Sequence, residues 1–258
     1  MKKLAYIVAA GAIISTSAVA DDYQAEIGLV YGTIDTEVDL GPFGSGSVDA
    51  NTAMLFGEVY FDKVDTSKGP LAEASFLSKS SGLMASYTDI ENVDDNSWGL
   101  GGRFVFGEDY IIEADYSSDG DIDSYGIGFG KYLSDNTDVV VSYGSSDDLD
   151  ALNADMHSVV SLSGTSSLAY SLGIAYLKAS DESGYGLSGD LTYYFNNNFG
   201  IGASVARDSI DDIDSTSWAL NADWFVNNSW DLGLMYSSTD LADIVTVDML
   251  AASVSFRF

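Results

Sequence analysis

Leu250-Ala251-Ala252-Ser253-Val254-Ser255-Phe256-Arg257-Phe258 is the stretch whose reading decides the fold. Leu250, Ala252, Val254, Phe256 and Phe258 fall on one face of a strand; Ala251, Ser253, Ser255 and Arg257 fall on the other. One face is apolar and ends on an aromatic carboxy-terminus. The other is small, hydroxylated or charged. The same alternation recurs back to Tyr23. Trp98, Leu100, Gly102, Phe104 and Phe106 oppose Gly99, Gly101, Arg103 and Val105. Tyr185 to Phe195 in steps of two oppose Gly186, Ser188, Asp190, Thr192 and Tyr194. Trp218, Leu220, Ala222, Trp224 and Val226 repeat it, and Tyr23, Ala25, Ile27, Leu29 and Tyr31 begin the series.

A soluble β-sandwich also alternates, but it buries its large residues in a core and wets its polar ones. Here the second face is Gly, Ala, Ser and acid, a poor core and a good lining for water. Large residues turned to lipid and small polar ones turned to water describe a closed transmembrane barrel. In hydrocarbon, only helices and closed barrels satisfy every backbone polar group.

The amino-terminus agrees. Lys2 and Lys3 precede a short apolar run, Leu4 to Ile14, and Ala18-Val19-Ala20 fits the small-x-small cleavage rule. The run is too short to cross about 30 Å of hydrocarbon. Residues 1–20 are therefore expected to be a signal peptide, cut between Ala20 and Asp21, with residues 21–258 forming one barrel domain in the outer membrane of a Gram-negative cell.

The chain carries 10 Lys and Arg against 40 Asp and Glu, a formal net charge of −30. Loss of Lys2 and Lys3 makes the balance more acidic still. Such a field repels polyanions and excludes nucleic-acid binding, which needs basic contacts to phosphate. With no Cys, there is neither a disulfide nor a thiolate metal site. A hydrophobic fraction of 46% argues against disorder.

Turn residues divide the alternating run into strands at 23–34, 51–62, 71–89, 97–106, 110–118, 123–133, 138–146, 156–165, 168–179, 184–195, 199–208, 216–226, 230–238 and 245–258. That makes an all-β, antiparallel up-and-down barrel of about 14 strands, with 12 or 16 also open. The 71–89 stretch could split at Ser80-Ser81-Gly82. The even strand number of bacterial single-chain barrels favours one long strand with a bulge there.

One set of turns is short and rich in Asn and Ser, and is expected to face the periplasm. The other is acidic, with 35–50 as its longest loop, and is expected to face outside. Aromatics near the short turns (Tyr23, Phe61, Phe106, Tyr110, Phe195, Phe199, Trp230, Phe256, Phe258) form one belt. Tyr31, Trp98, Tyr116, Tyr125, Tyr143, Tyr176, Tyr185, Trp218 and Tyr236 form the other.

The inner face carries Glu26, Glu58, Arg103, Glu113, Asp115, Asp190, Asp223, Asp231 and Arg257. Acids outnumber bases there, so a water-filled lumen would prefer cations. Arg103 falls opposite Glu113, a cross-strand pair expected to stabilise the wall. The bland reading is that these carboxylates are simply the wetted face. Asp119-Gly120-Asp121-Ile122-Asp123 and the acids from Asp208 to Asp214 lack the glycine and distal glutamate of a calcium loop. No cofactor or metal is expected.

His157 is the sole histidine. A barrel hydrolase would need it as base, with Asp155 and Ser158 near in sequence, but neighbours in sequence are not a triad. The bland reading is an interfacial polar residue. A structural or receptor barrel with little conductance is the other class to weigh.

On these residues the chain resembles the Gram-negative outer-membrane porins along residues 21–258. It is most like the short general porins, an impression to which Gly69-Pro70-Leu71-Ala72-Glu73-Ala74 contributes. The resemblance implies a passive diffusion channel for small hydrophilic solutes. It implies that Val254, Phe256 and Phe258 are read by the barrel-assembly machinery. Lipid and lipopolysaccharide, bridged by divalent cations at the acidic loops, are the expected surroundings of a homotrimer or a monomer. The chain departs from the large porins in one respect: apart from 35–50, no loop is long enough to fold into the lumen.

Overall fold

The computed structural model describes residues 22–93, 96–107, 109–147, 149–211, 213–227 and 229–258, and the side chain of Phe43 is left aside. The expected signal segment, with Ala20 and Asp21, lies outside them. Fourteen strands follow one another: β1 (Tyr23–Asp39), β2 (Ser45–Val64), β3 (Gly82–Ile90), β4 (Ser97–Phe106), β5 (Tyr110–Ser118), β6 (Asp123–Ser134), β7 (Thr137–Ser146), β8 (Asp150–Ser161), β9 (Ser167–Ala179), β10 (Glu182–Asn196), β11 (Phe199–Ile210), β12 (Ile213–Phe225), β13 (Trp230–Leu241) and β14 (Val245–Arg257). Each pairs antiparallel with its sequence neighbours, and β14 closes on β1. Closure leaves no strand edge to lipid. The start of β1 and the carboxy-terminus meet at one end, where Gln24 and Ala25 donate their amides to Phe258 O at 2.9 Å.

Period-two patterning places the side chains as expected. Trp98, Trp218, Trp224 and Trp230 look outward, each 42–52% exposed. Aromatic ladders reinforce the outer face near the carboxy-terminal end: Phe106 stacks on Tyr110, Phe195 on Phe199 and Phe256 on Phe258, with Trp230 tilted against Phe256. The register that sets Arg103 opposite Glu113 is observed.

Four expectations change. Residues 35–50 are no long loop. β1 and β2 pair through Asp39↔Ser45, leaving a tight connection over Pro42. The 71–89 stretch is no single strand, for β3 starts only at Gly82. Leu71, Ala74 and Leu77 recur at helical spacing, and they form a 3-10 turn (Leu71–Glu73) followed by α1 (Ala74–Leu77). β8 begins at Asp150 rather than 156, so Asp155 is part of the wall and His157 lies deep in the strand. Tyr23 is no belt residue. The register shifts between Tyr23 and Ala25, which turns its ring inward to full burial. There the Arg257 guanidinium lies 4.0 Å over it.

Connections at both rims are short, with one exception. Residues 65–81, between β2 and β3, sit at the end that holds the termini, where short turns were expected.

Candidate functional site

The lumen has two unlike sides. Along β8–β11 the inner face is small and acidic. A cavity of about 230 Å³ there is bordered by Asn153, Asp155, Gly173, Gly186, Ser188 and Asp208. The carboxylates lie flat over glycines of the next strand. A Cβ at Gly173 would come 2.5 Å from Asp155 Oδ1, and one at Gly186 would collide with Asp208. Asp115, Asp155, Asp190 and Asp208 make no ion pair among the described residues. On the other side, β13, β14, β1 and β2 carry an apolar patch on their inner face: Val30, Met235 and Ala251 pack with Met54, Phe56 and Met249. Alternation marks those residues as inward, but it does not say that they meet and exclude water.

The nine charged residues expected on the inner face sit in two environments, with Glu58 partly buried across from Glu26. Arg103 binds Glu113 and Asp138 together. Arg257 Nε binds Glu26 Oε2 at 2.5 Å, and both are almost wholly buried. Asp231 is also fully buried, near the termini. Asp115 and Asp190 are left to wet the lumen. Asp223 is buried, accepting from Asn221 Nδ2 at 3.1 Å.

The buried environment is created by residues 65–81, which fold into the barrel and lie across its terminal end. Their start and finish are clasped, since Ser78 Oγ accepts from Asp65 N at 3.0 Å and donates to Asp65 O at 2.9 Å. The Ser67 hydroxyl and amide donate to Asp65 Oδ1, which holds that carboxyl below the usual range. Pro70 sets an extended backbone that launches the Leu71 turn. Lys79, at φ 53°, ends α1 in the left-handed region. Its ammonium reaches Asp109 and Asp135, each at 3.1 Å. Burial disfavours that charge, but the two carboxylates more than offset the cost and raise its pKa.

Contacts run round the whole circumference. Leu71, Ala72 and Leu77 pack on Val159 (β8), Ala169 (β9), Tyr194 (β10) and Phe225 (β12). Ala74 packs on Tyr23 (β1), Tyr60 and Val64 (β2). Phe76 meets Tyr132 (β6) and stands edge-on to His157 at 4.4 Å. Leu71 N donates to Asn197 O at 2.9 Å, and Leu71 O accepts from Arg257 at 3.5 Å. Tyr132 Oη donates to Phe76 O at 2.9 Å, and Ser81 Oγ accepts from Val105 N (β4) at 2.8 Å. Inward side chains of an open aqueous pore are wet; here those facing the segment are dry.

A chamber of about 380 Å³ stands on the segment. Phe76 lines it together with Arg103, Glu113, Asp138, Asp155 and His157. Sequence reading missed Glu73, Asp138, Asp155 and His157 as parts of one site. The missed signal for two of them was the true start of β8.

In the chamber His157 Nδ1 lies 2.9 Å from Ser171 Oγ, and His157 Nε2 lies 2.9 Å from Glu73 Oε2. Tyr194 Oη donates to Glu73 Oε1 at 2.9 Å. Hydroxyl, imidazole and carboxylate in line invite a hydrolase reading. However, Ser171 sits mid-strand, paired with His157 on one side and Asp190 on the other. The strand amides around it are spent in the ladder and offer no oxyanion donors. Asp155 and Ser158, near His157 in sequence, are not its hydrogen-bond partners, in keeping with the expectation that neighbours in sequence form no triad. The arrangement works as a clasp: it fixes Glu73, and with it the segment, to the wall.

Among solved structures, the chain is similar to the outer membrane protein Omp33 of Acinetobacter baumannii, at 23% identity and a TM-score of 0.72, over 92% of this chain and 99% of that one. A bacterial polysaccharide outer membrane secretin aligns at 10% identity and a TM-score of 0.54, over 92% and 99% of the two chains. The translocator domain of the autotransporter NalP from Neisseria meningitidis aligns at 14% and 0.51, over 100% and 94%. These likenesses show the barrel fold. No curated protein sequence matches. The family model described as "Putative general bacterial porin" matches residues 1–156. That span is more than half of the chain, and the chain belongs to this general bacterial porin family.

Proposed function

We propose that this outer-membrane channel passes small hydrophilic solutes by passive diffusion, favours cations, and is closed at its periplasmic end by residues 65–81. Membership of a porin family supports a channel rather than an enzyme. The observation that carries the finer reading is the unlike pair of ends: a small-residue, acidic lumen wall leads down to a floor made by Leu71, Phe76 and Leu77. Asp155, Asp190 and Asp208 offer carboxylates to the track, while Arg103 is taken up by Glu113 and Asp138. A lumen wall of such carboxylates attracts cations and repels anions.

Loss of residues 1–20 on export belongs to the same reading. So does recognition of Val254, Phe256 and Phe258 by the assembly machinery. Phe256 and Phe258 stack on the outer face near the carboxy-terminus, and Phe258 is open to an approaching partner. Lipid and lipopolysaccharide contacts, bridged by divalent cations at the acidic outer loops, belong to it too.

The selectivity is tested by reconstituting the protein in a planar bilayer under a KCl gradient. A reversal potential on the cation side is expected, and one on the anion side overturns the preference. A second reading, a structural or receptor barrel with little conductance, is favoured by the same closure. The two readings part on whether the barrel conducts once the segment is gone.

A further inference from the structure

We propose that the segment is a pH-operated gate, with His157 and Glu73 as its latch: charged imidazole holds the segment in, and neutral imidazole lets it leave. The inference rests on the channel reading above.

Glu73 is the carboxylate that the inserted turn and helix carry into the barrel. Its Oε2 meets His157 and its Oε1 meets Tyr194. Its side chain is 13% exposed, so it is mostly dry. A carboxylate in such a place needs compensation. The wall near it is acidic: Asp190 on β10 and Asp223 on β12 act on Glu73 directly, and Asp138 on β7 and Asp155 on β8 line the chamber beside His157. The other charged or titratable groups facing the clasp are Arg103 on β4, Glu113 on β5, Tyr132 on β6 and Tyr194 on β10. Arg103 is held by Glu113 and Asp138. Lys79, at the end of the segment, is held by Asp109 and Asp135. Among the described residues, His157 is thus the one titratable cation against Glu73.

Both protonation states of His157 satisfy the hydrogen bonds. Charged, the ring donates to Ser171 and to Glu73. Neutral with its proton on Nε2, it still donates to Glu73 and accepts from the Ser171 hydroxyl. What changes is the charge balance. With imidazolium present, Glu73 is neutralised. Without it, Glu73 faces Asp190 and Asp223 with no charge on the imidazole to offset them, and repulsion acts on the one element of the site that is not a strand. An unshifted histidine titrates at about 6.5. Acid therefore closes the channel and neutral to alkaline pH opens it. A coupling of one pKa unit changes the open-to-closed ratio about tenfold.

The test uses the chain's lack of cysteine. Ala74→Cys places a thiol where burial is 2% exposed, reachable by a maleimide only when the segment leaves. Ser163→Cys, on an exposed turn at the same end, corrects for the reagent's own pH dependence. The ratio of the two labelling rates is expected to rise about tenfold or more between pH about 5.5 and about 8. In His157→Gln it is expected to be flat at the high value, and in Glu73→Gln flat at the low value, because no charge is left to be expelled. A pH-flat ratio in the otherwise unchanged chain, or an unchanged pH response in His157→Gln, overturns the latch. Bilayer conductance of a chain with residues 66–80 replaced by Asn-Gly separates the two levels. If it conducts at every pH while the labelling is flat, the latch fails and the channel stands. If it does not conduct at all, the channel reading itself fails.

Discussion

The fourteen-stranded wall and the segment at residues 65–81 are built on opposite rules. The wall repeats one instruction, large out and small in, and every strand is held by two neighbours through its backbone. The segment repeats nothing. It is held by single contacts: a clasp at Asp65 and Ser78, a buried patch around Leu71 and Leu77, and polar ties at Glu73, Phe76 and Lys79. The difference teaches that the wall determines what can pass and the segment whether anything passes. An element held by its own contacts can move without melting the sheet that surrounds it.

The largest effect is expected where the two regions share a residue. Arg257 belongs to β14, pairs with buried Glu26 of β1 and donates to Leu71 O. Arg257→Met leaves a buried carboxylate without its cation, a loss of roughly 3–5 kcal/mol. Urea unfolding of the folded barrel in detergent should show that loss. Adding Glu26→Gln should restore much of it, since the double change removes the orphan charge. No loss in the single variant would mean that the wall does not depend on this pair.

Next comes a change confined to the segment. Leu77→Ala opens a cavity against Val159 and Phe225, at a local cost of about 2–4 kcal/mol. The comparison holds if proteolysis within residues 65–81 accelerates while the barrel's unfolding midpoint stays put. It breaks if the midpoint falls by the same amount, for then segment and wall are one cooperative unit.

The smaller effects concern the wall alone. Asp190→Asn removes a lumen carboxylate that has no ion-pair partner among the described residues, and cation preference should fall by a factor of about two. The ratio of permeabilities from reversal potentials reads it directly. Gly173→Ala presses a methyl group on Asp155 and on Ser188 Oγ. The carboxylate must lift off the wall, and a shift in conductance of some tens of per cent is expected, with stability changed by less than about 1 kcal/mol.

What was legible in the sequence follows the same division. The strands that cross lipid announce themselves, because a period of two with Trp, Tyr and Phe on one face has few other uses. Ser97–Phe106 and Tyr110–Ser118 could be read to the residue, and Arg103 opposite Glu113 came with them. The segment was hidden because its apolar residues fit two periods. Ala72, Ala74 and Phe76 alternate as a strand would, while Leu71, Ala74 and Leu77 keep helical spacing. Pro70, which launches the turn, was the punctuation that could have decided between them. His157 was unreadable for a different reason. Ser171 is its neighbour across the β8–β9 hairpin, but Glu73 reaches it only by closing the barrel and folding the turn inward. No local pattern encodes a contact 84 residues away in the chain. Tyr23 went wrong by one residue of register, which turns a side chain to the other face.

The central claim is that an aqueous conduit exists and that residues 65–81 close it. Single-channel recording in planar bilayers tests it most directly, comparing the full barrel with one in which residues 66–80 are replaced by Asn-Gly. Rare, small openings are expected from the full barrel and a steady, cation-selective current from the shortened one. Equal currents from the two, or silence from a shortened barrel shown to be folded, would contradict it.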